Sequence, residues 1–259
     1  LPQFVEDPEV RGEVHVFHTN EWAGQRQTGG HWGGDLPGPE AHQAIEQVRA
    51  RLEAGGWNIT PEHTKILMLT HRVLATEQGY ASLPATFRFN ESFTRKEHPY
   101  ISWLVEMFEP ACEAFAAHRY GAMFEALGSG VPHLRRPFDK EAWSASMQAL
   151  AELRANGSVA DVLGHLKAAR RPRLPDAITD RERELSEFDR EGQEEMPPVL
   201  AEIERLHAVS FAEISALRRY LNGSSPFETK HGVKGAEFEN VLVIVGRGWN
   251  LYNFNEMLE

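Results

Sequence analysis

Cysteine is almost missing from this chain. Its 259 residues include one, Cys112, so neither an internal disulfide nor a cysteine-based metal site can be built, and the expected compartment is a reducing cytoplasm. Cys112 sits among Ala and Phe in a helical pattern and reads as a small buried apolar residue. Long apolar runs are missing too: none approaches the roughly 20 residues that a membrane helix needs. The first ten residues, L-P-Q-F-V-E-D-P-E-V, are acidic, which is not how a signal peptide begins. Positive charge is scarce, with 27 Lys and Arg against 38 Asp and Glu and a net charge of −11. That balance weighs against a chain whose main task is non-specific binding to DNA, because such affinity comes from neutralised phosphates. The glycine-rich stretch from Gly24 to Pro39 has no lysine and no G-x-x-x-x-G-K-[ST] pattern, so it reads as a surface loop. No H-E-x-x-H occurs, and His15, His18 and His31 have no carboxylate at a metal-site spacing; they read as ordinary polar positions.

What is present is an ordinary globular composition, 41% hydrophobic and 25% charged, enough for one large or two modest domains. Glu13 to His18 alternates as a short strand does. From Pro39, the residues Ala41, Ala44, Ile45, Val48 and Leu52 fall at helical spacing, and Gly55 stops the run. Lys65 to Thr70, K-I-L-M-L-T, reads as a buried strand that ends in Thr70-His71-Arg72. A second apolar, β-branched run, Val241 to Val245, reads as a strand buried on both faces of a parallel sheet. Strands separated by helices of this length point to an α/β sheet, whose ligands bind at the carboxyl ends of strands.

Ahead of Val241 lies T-K-H-G-V-K-G-A-E-F, residues 229 to 238. Thr229, His231, Lys234 and Glu237 bring together a hydroxyl, an imidazole, a cation and a carboxylate. Gly232 and Gly235 let the backbone come close to a ligand. That set suits a phosphate-rich ligand, and a polar-capped loop before a core strand accounts for the same residues equally well.

The spacing T-x-H-x-x-K-G-x-E-F followed by an apolar strand resembles motif V of the UvrD/Rep-type superfamily 1 DNA helicases, with every fixed position present. The resemblance implies an α/β fold, a partial RecA-like parallel sheet interrupted by an all-helical inserted domain. It implies that Thr229 and His231 touch single-stranded DNA, that Glu237 reaches the ATP ribose, and that Lys234 and Gly235 shape the turn between them. The helix before Lys65 and the strand ending at Thr70 to Arg72 look like the motif IVa segment of that family. There Thr70 and Arg72 are candidate DNA-backbone or interdomain contacts; a helix N-cap and a solvated arginine explain them as well.

Between about His98 and Tyr220 the pattern is helical, through Ile101, Leu104, Val105 and Phe108, then Trp143, Met147, Leu150 and Leu153, then Val199, Ile203 and Leu206. The family carries a helical insertion at this place in its second motor domain. The expected division is therefore residues 1–97 and 221–259 for the motor domain and 98–220 for the insertion. Trp103, Trp143 and Phe108 read as core rather than as base-stacking platforms. Lys167, Arg170, Arg171 and Arg173 concentrate four cations in an acidic chain. By the resemblance Lys167, Arg170 and Arg171 would meet duplex phosphates, and a solvated helix end accounts for them equally. Asp176 to Glu195 holds twelve charged residues and reads as an exposed helix or a mobile connection. Trp249 and Tyr252 read as packing of a terminal helix.

A helicase of this type also needs a phosphate-cradling loop, an acidic pair for Mg²⁺ and arginines at the transferred phosphoryl group, and this chain has none of those patterns. The expectation is part of an ATP-dependent helicase whose ATP and Mg²⁺ are held by the larger parent, with single-stranded and tailed duplex DNA as partners and no ATP hydrolysis by this chain alone. The alternative from another class is a helicase-like interaction module without motor activity, docking a protein through the helical insertion. No acid/base pair or activated nucleophile is visible to support a small-molecule enzyme.

Overall fold

The computed structural model describes residues 12–28, 34–68, 71–128, 134–189, 192, 195–229, 233 and 235–245, with only the backbone for 71–73 and 229. The chain divides into two compact units, residues 1–59 with 246–259, and residues 60–245. Among the described residues no helix is long and apolar enough to cross a membrane.

In the first unit, helix α1, Gly38–Ala54, forms where the apolar spacing predicts it, with proline in its first turn and Gly55 beyond its end. Its apolar stripe buries Leu52 and half-buries Ala41, Ala44, Ile45 and Val48. Glu13 to His18 is not a strand. Val14 and Val16 are exposed, so the alternation there has no apolar surface to bury against, and alternation alone does not make a ladder. The segment after it folds back through Gln27 N–H to Asp35 O at 2.9 Å, Gly34 N–H to Gln27 O at 2.9 Å and Gln27 Nε2 to Leu36 O at 2.7 Å.

The second unit combines a small sheet with many helices. Its strands are β1, Thr64–Met68, β2, Phe227–Thr229, and β3, Asn240–Ile244, in the order β2-β1-β3 and all parallel. Ile66 pairs with Phe227 on one side and Leu242 on the other. β2 has no counterpart in the sequence reading, since P-F-E-T is too short and too polar to stand out. Helix α2, His71–Gln78, follows β1 and packs on β1 and β2. Thr64, Ile66 and Met68 are buried beneath the helices, and the alternate residues Lys65 and Leu67 are only half-buried. The expectation of a strand buried on both faces is overturned for β3: Val241 is 42% exposed, Val243 53% and Val245 41%. β3 is an edge strand of a three-stranded sheet, and among the described residues no helix lies over the face these valines share.

Two short helices, α3, Leu83–Thr86, and α4, Glu91–Thr94, lead into α5, Pro99–Trp103, and on to a π-helical turn, Leu104–Phe108. Helices α6, Glu109–Ala116, α7, Tyr120–Leu127, α8, Pro137–Asn156, α9, Val159–Ala169, α10, Asp176–Glu187, α11, Pro198–His207, and α12, Phe211–Leu221, complete the chain up to β2. The widened π turn frees Val105 O from its usual partner, and Arg218 Nη1 of α12 donates to it at 2.9 Å. Arg218 also grips Glu113 through two nitrogens, at 3.1 and 3.0 Å. α8 shows why the helical reading held: Trp143, Ser146, Met147 and Leu150 fall at three- and four-residue steps and are all buried. α9 starts with a reciprocal cap in which Ser158 Oγ accepts from Asp161 N–H while the Asp161 carboxylate accepts from Ser158 N–H.

One apolar core runs from Ala75 through Phe93, Phe108, Leu150 and Leu163 to Leu217. Trp103, Phe108 and Trp143 lie inside it, which leaves no ring face for a nucleobase. Cys112 is buried there as well, and its desolvation pushes the thiol up to about 12. Glu109 is enclosed against α8, where Arg154 donates to both of its oxygens at 2.5 and 2.8 Å.

Candidate functional site

Two of the polar segments singled out in the sequence leave the sheet side by side. β1 ends at Met68, β2 ends at Thr229, and these two residues are partners in the parallel register. The carboxyl ends of β1 and β2 therefore lie side by side, and open α/β sheets bind ligands at such ends. The sequence reading had only the first segment following a strand; β2 makes this true of both. Thr229 closes β2, and its side chain, like that of Arg72 in the first turn of α2, lies outside the described residues, as do Thr70, His231, Gly232 and Lys234.

The loop then descends to the other end of the sheet. Ala236 N–H donates to Val233 O at 3.0 Å, and Gly235 sits at φ +82°, the value a type II turn requires at its third residue. A Cβ on Gly235 would meet nothing within 4 Å, so the glycine is required by backbone conformation and not by close packing. Glu237 is exposed. Phe238 anchors the descent, with the Lys65 ammonium 5.4 Å from its ring centroid. His63 Nδ1 lies 2.7 Å from Glu239 Oε2, and Asn240 N–H donates to His63 O at 3.0 Å. Neither His63 nor the Lys65–Phe238 contact was legible in the sequence, because both join positions far apart in the chain.

The register separates the two halves of the motif. Asn240 pairs with Thr64 at the amino end of β1, and Thr229 pairs with Met68 at its carboxyl end. Four strand steps at roughly 3.3 Å put these ends about 13 Å apart. Thr229 and Asn240, the residues that bound the loop, therefore stand at opposite ends of β1. Glu237 lies three residues before Asn240.

The cation cluster around α9 is largely engaged. Lys167 Nζ donates to Glu182 Oε2 at 2.9 Å, Arg171 Nη1 to Ala169 O at 3.2 Å, and Arg173 Nη2 to Asp176 Oδ1 at 2.6 Å. Arg170 is exposed just past the end of α9, at φ +51°. Ser146 Oγ donates to Arg171 O at 2.5 Å and lies 2.9 Å from His165 Nε2. With its proton on a carbonyl, Ser146 is placed as a structural clasp and not as a nucleophile.

The expectation that Asp176 to Glu195 is an exposed helix or a mobile connection holds as a helix over Asp176–Glu187, exposed at most positions. α10 buries Ile178 and Glu182. Glu182 is a buried carboxylate that accepts from Tyr100 Oη at 2.9 Å, Lys167 Nζ at 2.9 Å and His207 Nε2 at 2.8 Å. Burial alone would raise its pKa, but the bonds from His207, Lys167 and Tyr100 together with the charge of His207 outweigh burial and hold it at about 2. Composition concealed this residue, because one glutamate in a run of charges gives no sign that it faces inward. Among the described residues, no group of three His, Cys, Asp or Glu side chains is placed to hold a metal ion. Comparison with family models, with curated proteins and with solved structures finds no match.

Proposed function

We propose that this chain is part of an ATP-dependent DNA helicase of the UvrD/Rep type, with a RecA-like sheet supplying the motif V contacts to single-stranded DNA and nucleotide. The observation that carries the reading is the T-x-H-x-x-K-G-x-E-F segment, which joins the carboxyl end of one parallel strand, β2, to the amino end of another, β3. Thr229, at the end of β2, and His231 are the DNA grip, together with Thr70 and Arg72. Glu237, three residues before the start of β3, is the nucleotide contact.

The residues present fit a nucleotide in part. The exposed Glu237 carboxylate suits a ribose hydroxyl, and Gly235 holds the turn that presents it. The chain has no phosphate-cradling sequence, so the phosphates and Mg²⁺ belong to other parts of the parent, and this chain alone does not hydrolyse ATP. When bound, ATP supplies the energy that drives relative movement of two motor domains.

The test is a fluorescence-anisotropy titration with a labelled single strand and a tailed duplex at low and moderate salt. Salt-sensitive binding that disappears in a Thr229→Ala/His231→Ala double variant supports the reading. Binding that survives that variant and disappears on neutralising Lys167, Arg170 and Arg171 moves the contact to the helical region. A second reading, an interaction module docking a protein partner, draws on the engaged cations: three of the four near α9 already have acceptors within the chain, and the net charge is −11. No binding to either DNA favours this module.

A further inference from the structure

The corner between α4 and α5 holds an imidazole with one nitrogen shut away from water. His98 is the residue before the first turn of α5, and its backbone closes the corner: its N–H donates to Ser92 O at 3.0 Å and its O accepts from Ser102 N–H at 2.9 Å. The half-buried ring stands against Phe87, centroids 5.0 Å apart, and against Tyr100, at 5.5 Å. Both of those rings are buried. His98 Nδ1 is enclosed and has no hydrogen-bond partner among the described residues. A neutral ring leaves only a lone pair there, whereas an imidazolium must place an N–H where no acceptor stands. His98 also precedes a helical run through α5, the π turn and α6 to Ala116, whose amino end disfavours a cation. The faces of Phe87 and Tyr100 attract a cation, but burial outweighs them and pushes the imidazole down from 6.5 to about 4. The surrounding charges are engaged elsewhere. From α10, Glu182, Arg181 and Glu184 act on the Tyr100 hydroxyl; from α11, Arg205 donates to Thr86 O beside Phe87; past α4, Lys96 pairs with Glu106 of the π turn, while Arg95 and Glu97 are exposed. Burial alone moves the His98 titration.

We propose that His98 is an acid-sensitive latch: protonation drives its ring out of the slot between Phe87 and Tyr100 and opens the α4–α5 corner. The closed form holds the neutral ring, so the latch is fully stabilised above the unfolded value of 6.5 and loses its hold as pH falls from there towards about 4. Opening also frees Tyr100, whose hydroxyl donates to Glu182 at 2.9 Å, so α5 gives up its tie to α10. The latch is independent of the DNA and nucleotide reading, since it uses none of the residues of that reading.

The test is amide hydrogen exchange of the whole chain at about pH 7 and about pH 5, with rates corrected for the pH dependence of the chemical step. An open ring that titrates at 6.5 and a closed one at about 4 raise the opening equilibrium roughly twentyfold between those two conditions. Protection over residues 92–103 should therefore fall by about that factor in the wild-type chain. His98→Phe fills the slot with a ring that takes no proton, and its protection there should stay within about threefold. Unchanged protection in the wild type, or an equal fall in folded His98→Phe protein, overturns the proposal. Should His98→Phe fail to fold, the NMR titration of the wild-type His98 ring, assigned through its own backbone, decides. A ring in the closed corner that is still neutral at about pH 5 supports the latch, and one that has taken up its proton by about pH 6 overturns it.

Discussion

Replacing Glu182 by Gln tests the tie that holds the helical region together. The carboxylate joins α5 through Tyr100, α9 through Lys167 and α11 through His207. Its pKa falls from the ordinary 4.5 to about 2 on folding, which corresponds to about 3 kcal/mol at neutral pH. Gln keeps the shape and one acceptor but removes the charge. Lys167, 46% exposed, can turn to water, whereas His207, 20% exposed, keeps a neutral acceptor. The loss is therefore nearer 2–3 kcal/mol than the roughly 3–5 kcal/mol of a fully enclosed broken pair. At roughly 2–4 °C per kcal/mol for a domain of this size, Tm at pH 7 falls by about 5–10 °C. Because the folded pKa is depressed, the stabilisation is fully present above the unfolded value of 4.5 and is lost as pH falls through about 2. The gap between wild type and variant in thermal unfolding should narrow below pH 4.5 and by about pH 3 be less than half its neutral value. A Tm within about 1 °C of wild type at pH 7, or a gap that does not change with acidification, would refute the placement of Glu182 as a buried, charged acceptor.

Glu109→Ala leaves Arg154 facing a buried gap and should lower unfolding free energy by about 3 kcal/mol in urea denaturation; a loss below about 1 kcal/mol would mean the bidentate pair is not formed in solution. Gly235→Ala should cost about 1–2 kcal/mol, since φ +82° disfavours a Cβ even where there is space for one; hydrogen exchange of the 233–236 turn reads this directly, and unchanged protection counts against the turn. Cys112, buried and with its thiol raised to about 12, should resist a thiol reagent at neutral pH and react in denaturant; rapid native labelling contradicts its burial. Val243→Lys should change stability by no more than about 0.5 kcal/mol, and Ile66→Lys, on the covered face, should prevent folding.

Local pattern carried much of the fold. Leu52 on α1, the Trp143, Met147 and Leu150 stripe on α8, and the apolar runs that became β1 and β3 were all legible, because helix and strand periods are properties of neighbouring residues. The 229–238 motif was legible for the same reason, as fixed spacing in one continuous segment. What lies between distant segments was not legible. β2 has three residues and becomes a strand only because Ile66 lies beside Phe227. Glu13 to His18 alternates like a strand yet finds no ladder among the described residues. Glu182 becomes a structural anchor only when Tyr100, Lys167 and His207 converge on it.

The sequence by itself determined α1, β1, β3, the helical middle and a motif whose spacing resembles that of a family to test, since each of these rests on residues a few positions apart. Tertiary structure alone decided which strand face is covered, that Thr229 and Asn240 pair with opposite ends of β1, and which charges are already engaged. Those outcomes depend on burial and pairing between residues separated by tens of positions, where the cost of an unpaired polar group or an unburied valine is settled by the partner that packing brings.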